Sequence, residues 1–148
     1  MHHAELLDGL CRTLHIDSLE PDADGVYAIV FDRGLDIEIV PLSDRQILLR
    51  SSLSHLPEDE DEREEFFRSR LQRNLLMLRE QTASLSFDPD SQRLWLHRVV
   101  ESNRIDLPGF LTAVEDFVNT LEWWQSFESA SQRDAEYRME MPYTMLRP

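Results

Sequence analysis

The sequence predicts one α+β domain with the order α-β-β-β-α-β-β-α, a mostly antiparallel twisted sheet flanked by three helices. Two observations point there. Strand-like runs with a period of two come in groups joined by turn-length connections, which favours a meander over alternating βαβ units. Three longer runs repeat their apolar residues at helical spacing. With 148 residues the chain is long enough for one modest core.

Leu6, Leu7, Leu10 and Leu14 recur at helical spacing and predict a first helix over residues 4–15. The polar stretch "SLEPDADG" reads as a loop. Val26–Phe31 and Leu35–Val40 then flank "DRG", a short hairpin connection in which Gly34 supplies a positive φ. In the first strand Val26, Ala28 and Val30 face one way, and Tyr27, Ile29 and Phe31 the other. In the second, Leu35, Ile37 and Ile39 alternate with Asp36 and Glu38. Pro41 and Ser43-Asp44 turn the chain into a third strand, "RQILLRSSL".

The next helix opens with a dense acidic run, seven of the eight residues from Glu58 to Glu65. No Pro or Gly interrupts residues 58–81, which predicts a helix of roughly 35 Å. Phe67, Leu71, Leu75 and Leu78 form one stripe on it, with Phe66 and Met77 alongside. That band is wider than packing on a sheet requires, so a second surface is expected to cover part of it. Asp88-Pro89-Asp90-Ser91 reads as a turn between two further strands. The last helix follows, with Asp106 as N-cap, Pro108 in the first turn, and a single stripe from Leu107 through Phe110, Val114, Phe117 and Leu121 to Trp124. Residues 1–128 are expected to form the domain and residues 129–148 a mobile polar tail containing Met139, Met141 and Met145.

Composition excludes several classes. The chain is 41% apolar and 30% charged, a globular balance, and its formal net charge is −14. Such a surface repels a phosphate backbone, so nucleic acid is not an expected partner. No run approaches the roughly 18 apolar residues of a membrane span, and the N-terminus lacks the basic region and apolar run of a signal peptide. Cys11 is alone, which excludes an internal disulfide framework and fits a reducing cytoplasm. All fifteen basic residues are Arg, so neither Schiff-base chemistry nor a P-loop lysine is available. Four glycines cannot build a Gly-rich nucleotide cradle.

No segment carries a catalytic signature, and neither catalysis, a metal nor a cofactor is expected. Consecutive acids on a straight helix radiate outward, so the acidic run reads as a helix start opposed to the positive end of the dipole; attraction of a basic partner is the alternative. "EPDADG" imitates the first half of a calcium loop, but the position that needs a bidentate Glu is Phe31. Cys11 and His15 share a helix face but make half a metal site at best. His55 and His97 lie in unrelated contexts. What remains is apolar surface. Trp95 alternates with Leu94 and Leu96, Trp123 lies off the last helix's stripe, and both faces of the sheet carry apolar residues. Together they point to an oligomer that also binds an apolar peptide.

Three stretches, "GVYAIVFDRGLDIEIV", "LLMLREQTASLSFDPDSQRLWLHRVV" and "DLPGFLTAVEDFVNTLEWW", together with the element order, size and acidity, resemble the class I type III secretion chaperones, the Tir-chaperone family. The resemblance spans residues 4–127 and excludes both the tail and the dense acidic opening of the middle helix. It implies a homodimer in the bacterial cytoplasm, without ATPase activity, that holds the extended N-terminal segment of a secreted effector in a secretion-competent form. The secretion apparatus or a regulatory protein would be further partners. For the effector-binding surface it implies Leu6, Leu10 and Leu14 with Ala28, Val30, Val40 and Leu48. For the dimer interface it implies Phe67, Leu71, Leu75, Leu78 and Trp95. A regulator of the same fold that sequesters a transcriptional activator or anti-activator is the alternative.

Overall fold

A computed structural model describes residues 2–140, apart from the side chains of Arg33 and residues 134–140. The expected order is observed: α1 (His3–Leu14), β1 (Tyr27–Phe31), β2 (Leu35–Ser43), β3 (Gln46–His55), α2 (Glu60–Met77), β4 (Ser84–Asp88), β5 (Arg93–Glu101) and α3 (Leu107–Glu140). The strands form one antiparallel sheet in the order β1-β2-β3-β5-β4. β3 and β4 are joined through α2 and are not neighbours; β5 returns between them.

Turn chemistry sets the sheet's connections. Gly34 takes a φ of 72° in the short helical turn Asp32–Gly34 between β1 and β2. Between β4 and β5, the Asp88 carboxylate accepts from the Ser91 hydroxyl (2.7 Å) and the Asp90 N–H (3.1 Å). These two bonds, the Ser91 one foremost, hold the carboxyl below its ordinary range.

Side-chain alternation then sorts the two faces. Ile29, Leu35, Ile37, Ile39, Ile47, Leu49, Leu96 and Val100 point to one side, where α3 and α1 cover them. The stripe of α3 supplies Phe110, Ala113, Val114, Phe117, Leu121 and Trp124 to that core, and α1 supplies Leu6, Leu7 and Leu10. The two helices approach closely at Gly9, where an added Cβ would clash with the Leu107 side chain. Asp106 caps α3 as expected, its carboxylate accepting from the Gly109 N–H at 2.9 Å.

Two helices differ from expectation at their ends. α2 starts later and stops earlier than residues 58–81, because Asp59 rather than Glu58 caps it (Glu62 N–H to Asp59 Oδ2, 3.0 Å) and the chain turns after Met77. α3 passes the expected domain boundary at residue 128 and stays helical to Glu140. No Gly or Pro follows Gly109 until Pro142, and Glu128 is anchored. The expected mobile tail therefore overlaps a helix over residues 129–140; residues 141–148 lie outside the described residues.

The packing gives a direct test. Phe117→Ala, at the centre of the α3 stripe and fully buried, is expected to cost about 3–5 kcal/mol. Asp106→Ala, which loses only a cap, should cost about 1 kcal/mol. Urea unfolding of both variants checks the ranking.

Candidate partner-binding site

The other face of the sheet has no helix over it among the described residues. Cross-strand pairing lines its side chains up in rows. Val40 pairs with Leu48 and Leu48 with Val99, giving an aliphatic row across β2, β3 and β5. A second row runs Ala28, Glu38, Arg50, His97, Ser84. A third runs Ser52, Trp95, Ser86. Val30 on β1 is 70% exposed and Val99 46%, while Val40, Leu48 and Trp95 are half-buried by their neighbours.

Polar groups sit between these apolar ones. Arg50 Nε donates to Glu38 Oε2 at 2.6 Å, and its guanidinium lies 5.1 Å from the centre of the Trp95 ring. Leu48, Arg50, Trp95 and His97 line a shallow depression of about 400 Å³ against Ser86, Phe87 and Asp88 of β4. The Nδ1 of His97 is buried without a partner, and burial holds the imidazole below its ordinary value of 6.5. Both outer strands, β1 and β4, have a neighbour on one side only, so each offers a free backbone edge.

The second apolar surface is a ridge on α2. Leu71, Leu75 and Leu78 are 59%, 69% and 47% exposed. Phe67 joins the ridge to the sheet, edge-on to Phe87 with centroids 5.5 Å apart. Phe66, adjacent in sequence, turns inward onto Leu56 and Leu94. Beside it lies a contact that sequence reasoning missed: buried Arg70 forks onto buried Glu128 of α3. Its signal was present, since Arg70 follows Phe66 by four and Glu128 follows Trp124 by four, placing both charges on apolar faces.

The expected effector-binding residues divide. Ala28, Val30, Val40 and Leu48 lie together on the uncovered face. Leu6 and Leu10 do not: they are fully buried between α3 and the inner face of the sheet, and Leu14 is half-buried at the core's edge. Helical spacing marks a buried stripe, and the domain's own core takes up this one. The expected dimer residues also divide. Phe67, Leu71, Leu75 and Leu78 form the ridge, whereas Trp95 belongs to the open face.

The other candidates have local explanations. Asp22 of "EPDADG" accepts from the N–H groups of Asp24 (2.8 Å) and Val26 (3.0 Å), so its carboxylate closes its own turn. Cys11 is buried while His15 ends α1 in the left-handed region with a φ of 54°, so the two share no ligand face. His55 meets Arg93, which also bonds the Ser52 hydroxyl. The acidic opening of α2 radiates into solvent, with Arg68 reaching Glu64 at 3.0 Å. Among the described residues no three His, Cys, Asp or Glu converge as metal ligands, and no helix is long and apolar enough to cross a membrane.

Among the described residues this α+β domain leaves one sheet face bare, with a leucine ridge beside it. Comparison with known proteins gives the domain a family. The chain matches the Tir chaperone protein (CesT) family over residues 5–125, and it belongs to that family, as the sequence resemblance implied. No curated protein sequence matches it. Its fold matches a chain of the ExsC-ExsE complex, with 21% identity, a TM-score of 0.64, and coverage of 82% of this chain and 90% of that one. It also matches a chain of the HopA1-SchA chaperone-effector complex, with 17% identity, a TM-score of 0.67, and coverage of 84% and 93%. The Yersinia pestis type III secretion chaperone SycH, in complex with a fragment of YscM2, gives 18% identity, a TM-score of 0.54, and coverage of 80% and 98%.

The open face has a pH signature. Because folding lowers the His97 pKa, the unfolded chain binds that proton more tightly. The stability it confers is therefore complete above the ordinary value of 6.5 and declines as pH falls below it. His97→Gln should flatten the fall in urea midpoint between about pH 7 and pH 5. An identical slope in the variant would reject this assignment.

Proposed function

We propose that this chain is a cytoplasmic chaperone of a bacterial type III secretion system. As a homodimer it binds the extended N-terminal segment of one or more secreted effectors and keeps them soluble and secretion-competent. It binds rather than catalyses. The observation that carries this reading is the bare sheet face, whose aliphatic row Val40–Leu48–Val99 runs beside Ala28 and Val30 of an edge strand. An extended segment can add its backbone to the β1 edge while laying alternate apolar side chains on that face. Membership of the chaperone family supports the same reading, as do similar folds that occur in chaperone-effector complexes.

A second copy of the chain is the proposed occupant of the α2 ridge. Charge along the helix supports this choice. Its first turns carry Glu60, Asp61, Glu62, Glu64 and Glu65, whereas Arg68 and Arg73 follow and Arg79 lies just beyond its end. Two α2 helices meeting antiparallel about a two-fold axis would bring the acidic opening of each toward the arginine-bearing half of the other, with the leucines between.

Two measurements test these surfaces. Co-expression with the product of a neighbouring gene should yield a soluble complex, and Leu48→Asp or Val30→Asp should weaken it by roughly tenfold to a hundredfold without moving the melting temperature. Recovery of a regulatory protein alone, with no secreted protein, would instead assign the face to a regulator that sequesters an activator or anti-activator. Light scattering should report a dimer that Leu75→Glu converts to monomer. A monomeric wild-type chain at micromolar concentration would reject the dimer.

A further inference from the structure

α2 is held to the rest of the domain by few apolar groups. Its only buried residues are Phe66 and Arg70, and Phe66 packs in a small cluster separate from the main core. The principal contact to α3 is polar. Arg70 Nε and Nη2 donate to the two carboxylate oxygens of Glu128 at 3.0 and 2.7 Å, with side chains 10% and 7% exposed. The rest of the guanidinium is also engaged: Nη1 donates to Ser69 Oγ at 2.8 Å, and the Phe66 ring lies 4.0 Å away. Arg73 lies 5.1 Å from the Phe127 ring centre and 5.8 Å from that of Trp123.

A paired fork of this kind has one good geometry, whereas apolar contacts tolerate sliding and rolling. Turning α2 by one residue, about 100°, would bring Ser69 or Leu71 to Glu128 and leave a buried carboxylate unpaired. The roll matters because α2 carries apolar residues on two outward sides. Leu71, Leu75 and Leu78 form the ridge, and Leu76, 71% exposed, lies on a different side.

We infer that the Arg70–Glu128 fork sets the roll of α2 and thereby selects the Leu71–Leu75–Leu78 face as the one that meets a second copy of the chain. This rests on the reading of that ridge as the homodimer surface. Both residues are positioning residues, since neither lies on the ridge. The pair contributes specificity more than stability: an apolar pair of similar volume can keep α2 docked but does not fix its angle.

The test uses the full chain with Arg70→Met and Glu128→Leu combined. The double variant should melt near the wild-type temperature while its dimer dissociation constant, from sedimentation equilibrium, rises by about tenfold or more. Spin labels on Cys residues placed at Gln72 and Ala130, with Cys11→Ser, should report a broader distance distribution across α2 and α3. The swapped pair, Arg70→Glu with Glu128→Arg, should recover most of the affinity. An unchanged dissociation constant and an unchanged distance distribution in the folded double variant would overturn the inference. Should the double variant not fold, the swap decides: dimerisation within about threefold of wild type supports the fork, and a folded monomer rejects it. Leu75→Glu keeps the two readings apart. If it leaves the dimer intact, the ridge reading fails; if it breaks the dimer and the double variant does not, the fork alone fails.

Discussion

A five-stranded sheet has two faces, and the described helices cover one of them. Most other features of the molecule follow from that one-sidedness. α3 and α1 close over Ile37, Leu49 and Leu96, and their apolar stripes are consumed in doing so. Among the described residues no helix covers Val40, Leu48 and Val99. The opposite face keeps its half-exposed aliphatics beside the Arg50–Glu38 pair and the Arg50–Trp95 contact. An apolar face in water is a standing tendency to associate. The net charge of −14 opposes indiscriminate association while leaving a matched partner free to dock.

α2 stands apart from this arrangement. It is attached at its flank through Phe66, Phe67, Met77 and the Arg70–Glu128 fork, and its leucines stay exposed. Its exposed leucines add nothing to the core, so propensity, the Asp59 cap and the acidic first turn carry more of its stability than in α3. A helix held this way is suited to presenting a surface. Two of the exposed apolar faces are therefore separate, one on the sheet and one on α2.

Much of the fold was legible because periodicity is a local property. Alternation assigned Ile29, Ile37 and Ile39 to one face and Ala28 and Val30 to the other, and the structure agrees. The α3 stripe was equally plain, since its buried positions repeat without a break from Phe110 to Trp124. Leu6 and Leu10, expected to bind a partner, lie in the core, because spacing reveals that a helix face is buried, not what buries it. Phe66 and Phe67 show the same limit at neighbouring positions, where one turns into the domain and the other toward the ridge.

The sequence by itself determined the element order, the inward and outward sides of each strand, the acidic surface and the lack of a catalytic signature. Those depend on residue type and spacing along one segment. The tertiary structure decided that α1 is core, that the described helices leave one sheet face bare, and that Arg70 of α2 meets Glu128 of α3, 58 residues apart in the chain. Such contacts form only when distant segments are brought together, and no local pattern specifies which charge will meet which.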